Sequence, residues 1–88
     1  MNVLVTGAAG FIGASLSKRL LERGDTVTGI DNLNDYYDVN LKRDRLKRLH
    51  HYVNFTLSHT DIADREAISS IFSGQRFNTV VNLAAQAG

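Results

Sequence analysis

Cysteine is absent from all 88 residues, which excludes a disulfide framework and a thiolate site and fits a reducing, cytoplasmic setting. An excess of either charge is missing too. Ten basic against nine acidic residues leave a formal net charge of +1, too little for the field that non-specific binding to nucleic acid or a membrane surface needs. No apolar run approaches the roughly 18 residues of a membrane span, and no basic leader with a long apolar stretch precedes the first strand pattern. Neither nucleic acid nor a membrane is an expected partner. His50, His51 and His59 invite a metal, but two are adjacent and no carboxylate stands at a helical ligand spacing from them, so no metal site is expected. Repeats, low-complexity tracts and linkers are also lacking. The chain amounts to one domain or part of one, since domains usually run to about 100 to 200 residues.

What is present is organised around one stretch, Val3-Leu4-Val5-Thr6-Gly7-Ala8-Ala9-Gly10-Phe11-Ile12-Gly13. The continuous apolar run reads as a strand buried on both faces of a parallel sheet, and the glycines as a phosphate loop that opens a helix. Gly7 permits the tight turn off the strand, Gly10 lets backbone amides approach a pyrophosphate, and Gly13 lets the helix lie close to the strand. A phosphate would sit where the helix dipole and unpaired N–H groups point. The spacing is G-x-x-G-x-x-G rather than G-x-G-x-x-G, and no Gly-Lys-Ser/Thr follows, which excludes a Walker loop. A turn that binds nothing is the plain alternative; the flanking strand and helix, with the acid Asp31 after the next strand pattern, argue against it.

The first helix is expected over 11–23, with Ile12, Leu16 and Leu20 as its buried stripe and Gly24 as its C-cap. Thr26 to Asp31 reads as the second strand, completing a βαβ unit. A polar run over 32–40 suits a loop, with Asp38 as N-cap of a helix over 39–50 whose thin apolar stripe is Val39, Leu46 and Leu49. Lys42, Arg43, Arg45, Lys47 and Arg48 crowd that helix. They read as a solvated face, as one or two cations reaching cofactor phosphates or ribose, or as a nucleic-acid patch, which the lack of interleaved aromatics disfavours. Val53, Phe55 and Leu57 alternate as a third strand. A third helix over 64–73 is expected to bury Ala67, Ile68, Ile71 and Phe72 and to end at Gly74, and Thr79 to Leu83 forms a fourth strand. The small neutral tail Ala84-Ala85-Gln86-Ala87-Gly88 suits either a plain loop or a close ligand approach.

Four strands alternating with three helices predict an α/β, doubly wound parallel sheet in the order 3-2-1-4, which binds ligands where strands one and four diverge. With the glycine motif at Gly7 to Gly13, Asp31-Asn32, Asp61-Ile62 and Leu83-Ala84-Ala85, the chain resembles the extended short-chain dehydrogenase/reductase family. The run Asn34-Asp35-Tyr36-Tyr37-Asp38-Val39-Asn40-Leu41-Lys42 and the closing Ala84 to Gly88 look most like the UDP-glucuronate 4-epimerases of that family.

The resemblance implies that the 88 residues are the N-terminal part of an NAD-binding, Rossmann-like domain. The substrate domain is expected outside the chain, in a homodimeric parent acting on a UDP-sugar. It implies that Phe11 and Ile12 meet the pyrophosphate through their backbone, that Asp31 with Asn32 meets the adenosine ribose, and that Asp61 and Ile62 border the adenine. Leu83, Ala84 and Ala85 would pass the nicotinamide half, and Gln86, Ala87 and Gly88 would lead toward the sugar. Lys42 is the first choice for a cation at the cofactor, and Asn82 carries no weight. Asp31 favours NAD over NADP, on the expectation that the basic cluster is solvated and several residues away. Relatives use a tyrosine with a lysine four residues later as acid/base; Tyr36, Tyr37 and Tyr52 are followed at that spacing by Asn40, Leu41 and Thr56, so no catalytic residue is expected here. A nucleotide-sugar 4,6-dehydratase and, in another class, a non-catalytic dinucleotide sensor are the alternatives. Absence of a Tyr-x-x-x-Lys pair further along the parent would favour the sensor.

Overall fold

Seven elements alternate along the chain: β1 (Asn2–Thr6), α1 (Phe11–Glu22), β2 (Thr26–Asp31), α2 (Val39–His50), β3 (Phe55–His59), α3 (Arg65–Gly74) and β4 (Thr79–Asn82). The computed structural model describes residues 1–32, 39–61 and 63–83. The expected Asp38 cap, Tyr36, Tyr37, Ile62 and the tail from Ala84 to Gly88 lie outside the described residues, as does the side chain of Val39. All three strand pairings are parallel, in the order β3-β2-β1-β4, as the sequence predicts. No helix among the described residues is long and apolar enough to cross a membrane.

Register decides what each sheet face carries. Val3 stands opposite Val27 and Thr79, Val5 opposite Gly29 and Val81, and Val27 opposite Phe55. Because strand side chains alternate, odd-numbered residues of all four strands share one face and even-numbered residues the other. The main core lies on the odd face, where Val3, Val5, Val27 and Phe55 pack with Ala8, Ala9, Ala14 and Leu21 from the α1 side and Leu46 and Leu49 of α2. Burying a leucine such as Leu49 fully stabilises by about 1.5–3 kcal/mol.

α1 corrects the expected stripe in part. Its buried residues are Gly13, Ala14, Ser17 and Leu21, while Ile12 is 65% exposed. Leu20 packs against the core as expected, though only partly buried, and Leu16 is half-buried. The small residues face the sheet because α1 lies too close for larger ones: a Cβ on Gly13 would stand 2.0 Å from the Gly7 carbonyl oxygen. The helix ends at Glu22 with Arg23, not the expected Gly24, as its C-cap; Gly24 follows with a φ of 95°, which allows the Gly24 and Asp25 amides to return to the Leu21 and Leu20 carbonyls at 3.0 Å each. At that end Asp25 is buried, receiving the Met1 ammonium at 2.8 Å and the Arg23 guanidinium at 2.6 Å.

The third strand starts at Phe55, and Val53 is fully exposed in the turn before it. Two successive turn bonds, Tyr52 N–H to Leu49 and Phe55 N–H to Tyr52, use up these residues in reversing the chain. The period-2 pattern therefore began one alternation too early.

α3 covers the even face. Asp64 caps it by accepting the Ala67 N–H at 3.1 Å. None of its residues is buried, contrary to the expectation for Ala67, Ile68, Ile71 and Phe72, and Phe72 is 46% exposed. A single helix cannot close a four-stranded face. An apolar cleft of about 110 Å³ remains between helix and sheet, lined among others by Leu4, Ile30, Ile68, Phe72 and Val80.

Candidate functional site

The carboxyl ends of β1, β2 and β4 converge on the turn 7–10, and hydrogen bonds fix that turn from below. Gly7 adopts φ 71°, a left-handed conformation that favours glycine. This lets the Gly7 and Ala8 amides both donate to the Ile30 carbonyl, at 2.7 and 3.2 Å, while the Gly10 amide returns to Gly7 at 3.1 Å. α1 then rises from Gly10, which is extended, with no side-chain cap and no acidic residue in the first turn. The amides of Phe11 and Ile12 have no partner among the described residues, and both side chains are exposed. Uncapped amides at the positive end of a helix dipole form an anion-binding arrangement.

Asp31 closes β2 beside this turn, only 5% exposed. Its Oδ2 accepts the Ala9 amide at 3.0 Å, and its Oδ1 faces the Lys42 Nζ at 3.2 Å. The side chains of this pair are 3% and 11% exposed. The expectation of a solvated, remote basic cluster is therefore corrected at Lys42: eleven residues separate it from Asp31 in sequence, but α2, packed against α1 and β3, sets the cation directly on the carboxylate. Burial of such a pair costs desolvation that its attraction offsets only with good geometry.

A second cation of α2 reaches the turn. Arg45 Nη1 donates to the Ala9 carbonyl at 3.2 Å, and its guanidinium carbon lies 5.8 Å from the centre of the Phe11 ring. The sequence left open which basic residue does this; the signal was the i, i+3 spacing of Lys42 and Arg45, which puts them on one helix face. Arg43, Lys47 and Arg48 are exposed.

The remaining site residues border this locus. The Asn32 carbonyl accepts the His59 ring Nε2–H at 2.9 Å, and the Thr60 amide donates to the Asp31 carbonyl at 3.1 Å, which brings Asp61 next to the end of β2. Asp61 is exposed and accepts the Ala63 amide at 2.9 Å. On the other side, Thr6 Oγ1 donates to Asn82 Oδ1 at 2.5 Å and accepts the Leu83 amide at 3.0 Å. Asn82 and Thr6, given no role from the sequence, thus lock the end of β4 to β1 where Leu83 leaves the sheet. Gly7, Gly10, Phe11, Ile12, Gly13, Asp31 and Lys42 gather in one place; Asn32, Asp61 and Leu83 flank it.

Residues 4–88 match the family model described as GDP-mannose 4,6 dehydratase. A UDP-glucuronate 4-epimerase of Thermodesulfobacterium geofontis is 47% identical over 85 residues, covering 97% of this chain and 26% of that protein. Among solved structures, UDP-glucuronic acid 4-epimerase from Bacillus cereus in complex with UDP-glucuronic acid and NAD is similar with a TM-score of 0.85 at 34% identity, over 100% of this chain and 27% of that one. dTDP-glucose 4,6-dehydratase from Bacillus anthracis in complex with NAD is similar with a TM-score of 0.83 at 26% identity, over 99% of this chain and 27% of that one. The chain spans about a quarter of the length of the curated relatives it matches.

Proposed function

The chain belongs to the family described as GDP-mannose 4,6 dehydratase, and from that membership we propose that it is the NAD-binding, N-terminal segment of a nucleotide-sugar 4-epimerase interconverting UDP-glucuronate and UDP-galacturonate. One observation carries the reading: the turn beneath α1 is a cradle that a Cβ would fill, 2.0 Å from the Gly7 oxygen at Gly13 and 3.2 Å at Gly10, below a helix start with no side-chain cap. That cradle suits a pyrophosphate, and the carboxylate of Asp31 beside it suits ribose hydroxyls. The likeness to epimerase and dehydratase structures that contain NAD supports the choice of dinucleotide.

In this reading Phe11 and Ile12 hold the pyrophosphate through their amides, Asp31 and Asn32 meet the adenosine ribose, and Asp61 with Ile62 borders the adenine. Lys42 serves the ribose site by holding Asp31. Leu83, Ala84 and Ala85 pass the nicotinamide half, and Gln86, Ala87 and Gly88 lead toward the UDP-sugar. When bound, NAD supplies a hydride acceptor and donor, so that C4 of the sugar can be oxidised and then reduced on its opposite face. This segment binds and orients. The tyrosine–lysine acid/base pair is not among its 88 residues, so turnover is assigned to a longer parent, in keeping with the quarter-length match to its relatives. A homodimeric, cytoplasmic parent belongs to the same reading and rests on the resemblance alone.

Product identification by NMR, with the intact parent and UDP-glucuronate, tests the reading. UDP-galacturonate is the expected product, and unchanged substrate in the presence of NAD overturns it. The likeness to the Bacillus anthracis enzyme favours a 4,6-dehydratase as the second reading; loss of water from a nucleotide hexose without conversion of UDP-glucuronate would select it. Asp31→Ala is expected to weaken NAD by about 1–3 kcal/mol, the range for charge-assisted hydrogen bonds, and to narrow the preference over NADP. That preference is itself expected to be modest, because the Lys42 ammonium 3.2 Å from the carboxylate offsets the charge a 2′-phosphate would meet. Calorimetry on both proteins checks this, and an unchanged NAD affinity removes Asp31 from the site.

A further inference from the structure

α2 grips the Gly-rich turn with two side chains one helical turn apart. Lys42 acts through Asp31, whose other oxygen accepts the Ala9 amide at 3.0 Å. Arg45 acts directly on the Ala9 carbonyl at 3.2 Å and lies over the ring of Phe11, the first residue of α1. One alanine thus has its N–H and its C=O both held by side chains that α2 supplies or charge-balances. Ala9 is itself fully buried, so water is poorly placed to replace either bond. The cost of burying Lys42 and ordering a long arginine over a loop calls for a return other than net stability, because a buried ion pair is weak evidence of stabilisation.

We propose that Arg45 is a positioning residue for the dinucleotide: by holding the Ala9 carbonyl it sets the attitude of the turn, and with it the direction of the Phe11 and Ile12 amides. The inference rests on the reading of this chain as an NAD-binding segment and extends it to α2. Its consequence is linkage. If the gripped turn is the form that receives NAD, binding tightens α2, and loosening α2 weakens binding by the same factor. The other α2 cations, exposed at 43, 47 and 48, take no part.

The test compares the intact parent, freed of co-purified nucleotide, with its Arg45→Met, Arg45→Lys and Lys47→Met variants. Calorimetry gives the affinities for NAD and for UDP-glucuronate, and amide hydrogen exchange follows residues 39–50 with and without NAD. Arg45→Met is expected to weaken NAD about tenfold, as the loss of one charge-assisted hydrogen bond would, and to abolish the NAD-induced protection of α2. Its UDP-glucuronate affinity is retained. Arg45→Lys recovers part of the loss, since an ammonium can still donate to the Ala9 carbonyl but cannot lie flat over Phe11. Lys47→Met removes the same charge from an exposed site on the same helix and leaves NAD affinity within about twofold.

Unchanged NAD affinity in Arg45→Met overturns the proposal. So does an equal loss in Lys47→Met, which would mean general charge, or a parallel loss of UDP-glucuronate binding in both Arg45 variants, which would mean collapse of the fold. If Arg45→Met does not fold, Arg45→Lys decides: weaker NAD with UDP-glucuronate binding intact supports the grip, and unchanged NAD refutes it. A parent that binds no NAD at all overturns the NAD-binding reading and the inference together, a result distinct from the others.

Discussion

On the odd-numbered face of the sheet, Val3, Val5, Val27 and Phe55 meet two helices in a continuous core; on the even-numbered face Leu4 and Ile30 share space with Thr6, Thr28, Ser58 and Asn82 under one helix with no buried residue. The first face is held by shape. Glycines let elements close on one another there, as where a Cβ on Gly29 would come within 2.7 Å of the Ala8 Cβ and 3.1 Å of the Phe55 ring. The second is held largely by polar stitches: Asn2 Nδ2 to the Arg76 carbonyl at 2.6 Å, the Asn2 amide to Asn78 Oδ1 at 2.7 Å, and Gln75 Nε2 to the Thr28 hydroxyl at 3.2 Å. The Gly-rich turn is built on the face with dense packing, and Ala8 and Ala9 within it belong to that core. A loop that must present amides in a fixed direction gains from neighbours that cannot shift, because packed interiors resist small displacements. α3, with its thin cover and its cleft, is the part expected to open at lower free energy.

The strongest way to break this contrast is Gly13→Ala. Its Cβ would meet backbone atoms of Gly7 at 2.0 and 2.8 Å, which no rotamer change relieves, so α1 must lift off the turn. A loss of about 3 kcal/mol or more is expected in denaturant unfolding of the parent. A near-native melt would mean that the close approach is not needed. Next in size is a pair of truncations, one on each face. Leu49→Ala should cost about 2–5 kcal/mol because Leu49 is 2% exposed, whereas Phe72→Ala, from a side chain already 46% exposed, should cost about 1 kcal/mol. Equal losses would erase the distinction between the faces.

Ser17→Ala sharpens it. The Ser17 hydroxyl is fully buried on the odd face with no hydrogen-bond partner among the described residues, so removing it is expected to be neutral or to stabilise by up to about 1 kcal/mol. A clear loss would show that this face relies on polar bonds after all. The smallest effect concerns neither face but the amino end of the central strands, away from the site. The Met1 ammonium, assisted by Arg23, holds the Asp25 carboxyl below its ordinary value of 3.8. Because the folded-state value lies below the unfolded one, the stabilisation is present in full above the ordinary value and drains away as pH falls through the folded value. Melting temperatures of the parent and of Asp25→Asn should therefore converge in acid and separate slightly toward neutral pH.

Element order, parallel pairing and the position of the Gly-rich turn were set by the sequence, because each depends on local signals: a continuous apolar run, three glycines at fixed spacing, an acid closing the next strand. Leu46 and Leu49 could be read as a stripe for the same reason, whereas Asp64, expected as the first helical residue, caps α3 instead. Other features depend on how closely elements approach, which no periodicity encodes. The buried residues of α1 are Gly13, Ala14, Ser17 and Leu21 rather than Ile12, because the helix approaches the turn beneath it too closely at Gly13 for a side chain to fit. The α3 stripe stayed half-exposed because one helix cannot cover four strands. At the candidate site the sequence named Asp31 and Lys42 separately, eleven residues apart, and left Arg45 in an undivided cluster. Only the packing of α2 against α1 and β3 joined them around Ala9, a residue whose methyl group carries no chemistry but whose N–H meets Asp31 and whose C=O meets Arg45.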